Sequence, residues 1–74
     1  MTSSLDPTLQ TIGKNLRRIR VASGRSQEGL ALDAAIDRTY VSQIERGIAN
    51  PSILVLKKIA SCLDANVSDL VVGT

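Results

Sequence analysis

The chain has 74 residues and a formal net charge of +2, so it is one small domain with a modest core. It contains no His, no Phe and no Trp, one Tyr and one Cys. That set excludes an internal disulfide and a His/Cys metal cluster, and no enzyme activity, cofactor or metal is expected.

The apolar residues are almost entirely Leu, Ile, Val and Ala, which suit closely packed helices better than a sandwich. Cys62 lies in an apolar helical stretch and reads as a small buried thiol. One unpaired Cys fits a reducing cytoplasm. The polar N-terminus has no long apolar run, so no signal peptide is expected. No segment approaches the ~20 apolar residues of a membrane span.

In chain order, Met1 to Leu5 reads as a loose tail. Asp6-Pro7 starts a helix, with Asp as N-cap and Pro at the first helical position. Leu9, Ile12, Leu16 and Ile19 recur at helical spacing and predict an amphipathic helix ending near Ser23, with Gly24 as a left-handed stop. Ser26 caps a short second helix from Gln27 to about Ala34, with Leu30, Ala31 and Ala34 inward. Ala35-Ile36 forms a tight turn. Asp37 caps a third helix to about Arg46, ended by Gly47. A loop from Ile48 to Pro51 follows. Ser52 caps a fourth helix with Ile53, Leu56, Ala60 and Leu63 inward. Residues 66–72 hold a short fifth helix carrying Val67, Leu70 and Val71. The Leu70–Val72 run is strand-like in composition but too brief to pair alone. The whole chain, 1–74, is thus one all-α domain: a tail over 1–5, two helices meeting at a turn over 26–46, and two more helices over 52–72.

Two short helices joined by a tight turn form a helix-turn-helix when they cross steeply. Leu30 and Ala31 on one face Val41 and Ile44 on the other, with Ile36 plugging the turn. Ala31 suits a close crossing. On the third helix Thr39, Ser42, Gln43 and Arg46 share the polar face. Seven basic residues (Lys14, Arg17, Arg18, Arg20, Arg25, Arg38 and Arg46) precede Pro51, which fits a polyanion as well as a solvated surface. Glu45 would repel phosphate if it shared that face, so it is expected to turn inward.

The stretch "SQEGLALDAAIDRTYVSQIERGIANPSILVLKKIASCL" resembles the phage Cro/CI (XRE-like) type of helix-turn-helix domain. Gln27, Leu30-Ala31, Ile44-Glu45, Gly47 and the Asn50–Ser52 loop carry the resemblance, which spans nearly the whole chain. Within that type, "DRTYVSQIERG" with a very short C-terminal part is similar to the controller proteins of restriction–modification systems. The resemblance implies a five-helix, lambda-repressor-like fold and a homodimer on palindromic DNA, with the third helix in the major groove.

Carried over position by position, the resemblance puts Arg38, Thr39, Ser42 and Gln43 at base edges or the phosphates beside them. It puts Gln27 on a phosphate, Arg46 and Asn50 on the backbone, and Arg20 opposite Glu45. Chemically, Arg38 can fork onto guanine and Gln43 can pair with adenine. Tyr40 can lie on a sugar or a thymine methyl, or pack against the first helix. Arg17 and Arg18 are either phosphate contacts or solvated charges. Most relatives of this type carry Gly where this chain has Ala35, so a positive φ is expected there. Ile53, Leu54, Val67, Leu70, Val71 and Val72 are the candidates for the dimer interface, and Val67 and Leu70 can equally complete the core.

Controllers of this kind act on their own gene and on the endonuclease gene, activating at low occupancy and repressing at high occupancy. RNA polymerase is then a further partner. Two alternatives share these residues: a phage-type or antitoxin-like repressor without activation, and a helical protein-interaction module without DNA binding.

Overall fold

A computed structural model describes residues 6–74. Over them the chain forms α1 (Pro7–Ala22), α2 (Gln27–Ala34), α3 (Arg38–Glu45), α4 (Ile53–Cys62) and α5 (Val67–Val71). The tail expected over Met1 to Leu5 lies outside the described residues. No strand forms among the described residues, and Leu70 and Val71 end α5 instead of pairing. No described helix is long and apolar enough to cross a membrane.

Each helix starts where a side chain takes a backbone N–H that the helix itself leaves without an acceptor. Asp6 accepts from the Thr8 amide at 2.7 Å, Ser26 from Gly29 at 2.9 Å, Asp37 from Thr39 at 3.0 Å and Ser52 from Val55 at 3.2 Å. At α5 the Asp69 carboxylate accepts from the Asn66 amide at 2.9 Å. The stops are equally local. Gly24 has φ +76° and Gly47 has φ +78°, values that end α1 and the turn after α3. Ala35 takes φ +57° and ψ +45°, so the left-handed turn between α2 and α3 is made without glycine.

Every helix sends at least one side chain into the core. Leu16, Leu30, Val41, Ile44, Ile59 and Leu70 are all essentially inaccessible. The inward stripe of α4 is Leu56, Ile59, Ala60 and Leu63. Ile53, expected among them, is 62% exposed. It is the first residue of α4, three positions before Leu56, where the buried stripe of the helix begins.

Two close approaches set how the helices cross. At Gly13 the backbone of α1 lies against the end of α3: a Cβ there would stand 2.5 Å from the Ile44 carbonyl oxygen and 2.6 Å from that of Glu45. Seven residues on, Arg20 and Glu45 join the same two helices. Arg20 Nε donates to Glu45 Oε2 at 2.6 Å and Nη2 to Oε1 at 3.1 Å. The Glu45 side chain is 3% exposed. The third guanidinium nitrogen, Nη1, donates to the Arg25 carbonyl at 2.8 Å and so holds the turn into α2. Midway along α1, Asn15 Nδ2 donates to the Leu70 and Val72 carbonyls at 2.9 and 2.8 Å. This ties the end of α5 to α1, across 55 and 57 positions of sequence.

Three stability changes follow, each readable from thermal or urea unfolding. Ala35→Gly should stabilise the fold by about 0.5–1 kcal/mol, because Gly takes a left-handed backbone without the steric cost that Ala bears. Gly13→Ala should destabilise it by about 1–3 kcal/mol, although Ala is the better helix former, because the added methyl meets backbone carbonyls that cannot step aside. Glu45→Ala should cost about 3–5 kcal/mol by leaving Arg20 buried and unpaired.

Candidate nucleic-acid interface

The two faces of α3 divide as the 3.6-residue period requires. Val41 and Ile44 are fully buried, while Arg38 and Thr39 are exposed and Ser42 and Gln43 are half-covered. Arg46, the residue after α3, is exposed and continues the outer face. Backbone bonds then fold the next loop onto the helix end: the Ile48 and Ala49 amides both donate to the Gln43 carbonyl, at 3.1 and 3.3 Å. That loop carries Asn50, which is exposed.

Among the described residues Arg38 and Arg46 make no ion pair, in contrast to Arg20 with Glu45 and Arg25 with Asp33. Two guanidinium groups on this surface are therefore left with only water to hydrate them. A guanidinium presents donors in a fixed fork that matches phosphate oxygens or the O6/N7 edge of guanine. Thr39, Ser42 and Gln43 add short donors and acceptors between them. The face as a whole suits a polyanion with hydrogen-bonding edges.

Not every residue expected on this face has a free head group. Gln27 was expected to reach a phosphate. Its Nε2 donates to Glu45 Oε1 at 3.0 Å, so one of its two amide protons is held inside the protein and the other has no partner among the described residues. Tyr40 is half-buried and packs against the core, which gives its ring a structural seat beside whatever its edge touches. Arg17 and Arg18 are exposed on α1, where Arg18 reaches only the Asn15 side chain, at 3.4 Å.

The residues expected at a subunit interface separate into three groups. Ile53, Leu54 and Val72 are exposed, at 62%, 69% and 58%. Val67 and Val71 are partly covered and pack on the core. Leu70 is wholly buried within the protomer and has no area to offer a partner; it is a core residue, held by the contacts of α5 with α1 and α4. Leu32, at 76% exposure, is an apolar surface residue that sequence periodicity did not single out. Asn15 was also missed, because nothing in its local sequence shows that its acceptors lie at the other end of the chain.

Comparison with known proteins gives this geometry a family. The helix-turn-helix model HTH_3 matches residues 16–70. Control protein C.BamHI of Bacillus amyloliquefaciens is 42% identical over 59 residues, covering 78% of this chain and 73% of that protein. The crystal structure of the restriction–modification controller protein C.AhdI from Aeromonas hydrophila superposes with a TM-score of 0.81 at 42% identity, covering 84% of this chain and 94% of C.AhdI. At that identity C.AhdI is a relative and not the same protein. SinR, a master regulator for biofilm formation solved in complex with DNA, superposes with a TM-score of 0.76 at 38% identity, covering 80% of this chain and 95% of that one. Against three curated relatives, the chain spans between 40% and 82% of their own length. The match over most of the chain, on a fold whose α2 and α3 form the paired helices of the motif, shows that this protein belongs to the HTH_3 helix-turn-helix family of DNA-binding transcriptional regulators, with restriction–modification controllers among its relatives.

Proposed function

We propose that the chain works as a homodimer on a palindromic operator and controls its own gene and that of a restriction endonuclease. The observation that carries the DNA reading is the outer face of α3, where Arg38 and Arg46 stand without ion-pair partners among the described residues and flank Thr39, Ser42 and Gln43. In the major groove Arg38 forks onto guanine O6 and N7, and Gln43 pairs with adenine N6 and N7. Thr39 and Ser42 fill between them at base edges or neighbouring phosphates. Arg46 and Asn50 hold the backbone beyond the helix, Tyr40 lies against sugar or a thymine methyl, and Gln27 approaches a phosphate from the start of α2.

Dimerisation uses the exposed Ile53, Leu54 and Val72, with Val67 and Val71 at their margin. A two-fold pair presents its α3 helices to half-sites about one turn apart, near 34 Å. A weak dimer makes operator occupancy depend steeply on protein concentration. That suits a regulator that activates at low occupancy, with RNA polymerase as a partner, and represses at high occupancy. The likeness to C.BamHI and C.AhdI, the one a control protein and the other a restriction–modification controller, supports this genetic role and a place in the bacterial cytoplasm.

A phage-type repressor shares every DNA contact and differs only in lacking activation. Transcription from the operator with purified polymerase over a range of protein concentrations separates the two: output that rises before it falls marks a controller, and a monotonic fall marks a repressor. Arg38, Gln43 and Arg46 together on one face count against a protein-interaction module without DNA binding.

Selection of bound duplexes from a random pool, followed by sequencing, should return a palindrome with half-sites about one helical turn apart. Arg38→Ala should then cost about 1–3 kcal/mol per half-site and relax preference at one position. Arg46→Ala should weaken binding to all sequences and lower the salt slope by about 1 per protomer. A pool that shows no enrichment would sink the proposal.

A further inference from the structure

The Glu45 carboxylate has more donors than an ion pair needs. Its Oε2 takes Arg20 Nε at 2.6 Å, and its Oε1 takes both Arg20 Nη2 at 3.1 Å and Gln27 Nε2 at 3.0 Å. A carboxylate only accepts, so it decides which way round the Gln27 amide stands, with nitrogen toward Glu45. An amide without such a neighbour can present oxygen or nitrogen in either direction. The distinction matters at DNA, because a phosphate oxygen is also an acceptor and is held only by a donor. After its bond to Glu45, Gln27 keeps one Nε2 proton without a partner among the described residues.

Gln27 is the first residue of α2 and is half-buried, so its amide is held at the surface and not swung free. The carboxylate behind it is nearly inaccessible to solvent and its charge is matched by Arg20. Arg20 also holds the Arg25 carbonyl, in the turn from which α2 emerges. One buried group therefore connects the end of α3, the turn before α2 and the head group of Gln27.

We infer that Glu45 is a positioning residue for DNA binding: it touches no DNA, and it aims the amide of Gln27 so that a proton faces the phosphate. This rests on the DNA reading of the α2–α3 face. The same carboxylate then sets both the seat of the recognition helix against α1 and the phosphate contact of the helix before it.

The test is a double-mutant cycle on the full chain. Wild type, Gln27→Ala, Glu45→Gln and the double variant are titrated by fluorescence anisotropy onto a labelled duplex carrying the sequence enriched by selection, with folding checked by circular dichroism. Gln27→Ala should weaken binding about tenfold, the scale of one hydrogen bond to a charged group. Glu45→Gln should weaken it by a similar factor, and the double variant by no more than either. If Glu45 acts instead by tilting α3, its loss persists when residue 27 is Ala, the two factors multiply, and the inference is wrong.

Should Glu45→Gln fail to fold, the wild type alone decides. The Gln27 side-chain amide resonances, followed by NMR free and on the duplex, should show a non-flipping amide in both states, with one proton protected in the free protein and both protected on the duplex. A freely exchanging, flipping amide overturns the inference. A wild type that binds no duplex removes the DNA reading and this inference together, whereas a binding wild type with multiplying factors removes the inference only.

Discussion

The contact between α1 and the end of α3 is the constraint on which the rest of this fold depends. At Gly13 the two backbones come so near that a single methyl group has no room beside the Ile44 and Glu45 carbonyls. Dispersion contacts reward such an approach only if the helices cross at one angle and one register. Arg20 and Glu45 supply that choice. A buried ion pair adds little net stability, since desolvation consumes most of its attraction. Its directionality is another matter: a guanidinium fork meets a carboxylate in few orientations. With α3 seated in this way, Val41 and Ile44 face the core and Arg38, Thr39, Ser42 and Gln43 must face outward. The polar face is thus a consequence of how its apolar back is held.

The core that α3 helps to close is small. Among the described residues it has twelve buried apolar side chains, three of them alanine. Alanines at 31, 34 and 60 let helices lie close, but they contribute little apolar area, so the domain relies on closely fitted contacts instead of bulk. This explains why polar devices recur at every junction. Each helix start has a side-chain or reciprocal cap, Asn15 closes off the carbonyls at the end of α5, and Arg20 binds the turn at Arg25 as well as Glu45. No buried side-chain polar atom among the described residues lacks a partner.

Helix identities and ends were legible in the sequence because their causes are local. Asp6, Ser26, Asp37 and Ser52 act on amides two or three residues away, and the apolar period marks the inward stripe. Ala35 was legible for another reason: the resemblance puts Gly at this turn, and a position that relatives fill with Gly is one where a left-handed backbone is expected. What periodicity could not show is where a helix runs out of neighbours, so Ile53 was placed inward and is exposed. Nor could it show pairings across long stretches of chain. Gln27 lies 18 positions from Glu45, and each has several plausible partners until the fold brings them to 3.0 Å. The outer face of α3 was legible as a set of residues; which of its head groups the protein itself already holds was not.

The size of the reading surface bears on why one copy is too few. The two bidentate contacts proposed for Arg38 and Gln43 would discriminate by about 1–3 kcal/mol each, or roughly 2–6 kcal/mol for one α3 helix. A genome offers on the order of a million or more competing sites, and a millionfold preference corresponds to about 8 kcal/mol. A single protomer falls short of that figure, while two protomers on a palindrome bring roughly 4–12 kcal/mol and span it. The phosphate contacts proposed for Arg46, Asn50 and Gln27 would not change this comparison, because such contacts strengthen correct and incorrect sites alike. Specificity on a domain this small therefore requires a partner surface, and the exposed Ile53, Leu54 and Val72 are apolar groups on this chain with no such use inside the protomer. If the partner is a second copy, as proposed, the discrimination needed to find an operator exists only above the concentration at which copies pair, and a small, weak interface would let protein level set gene output.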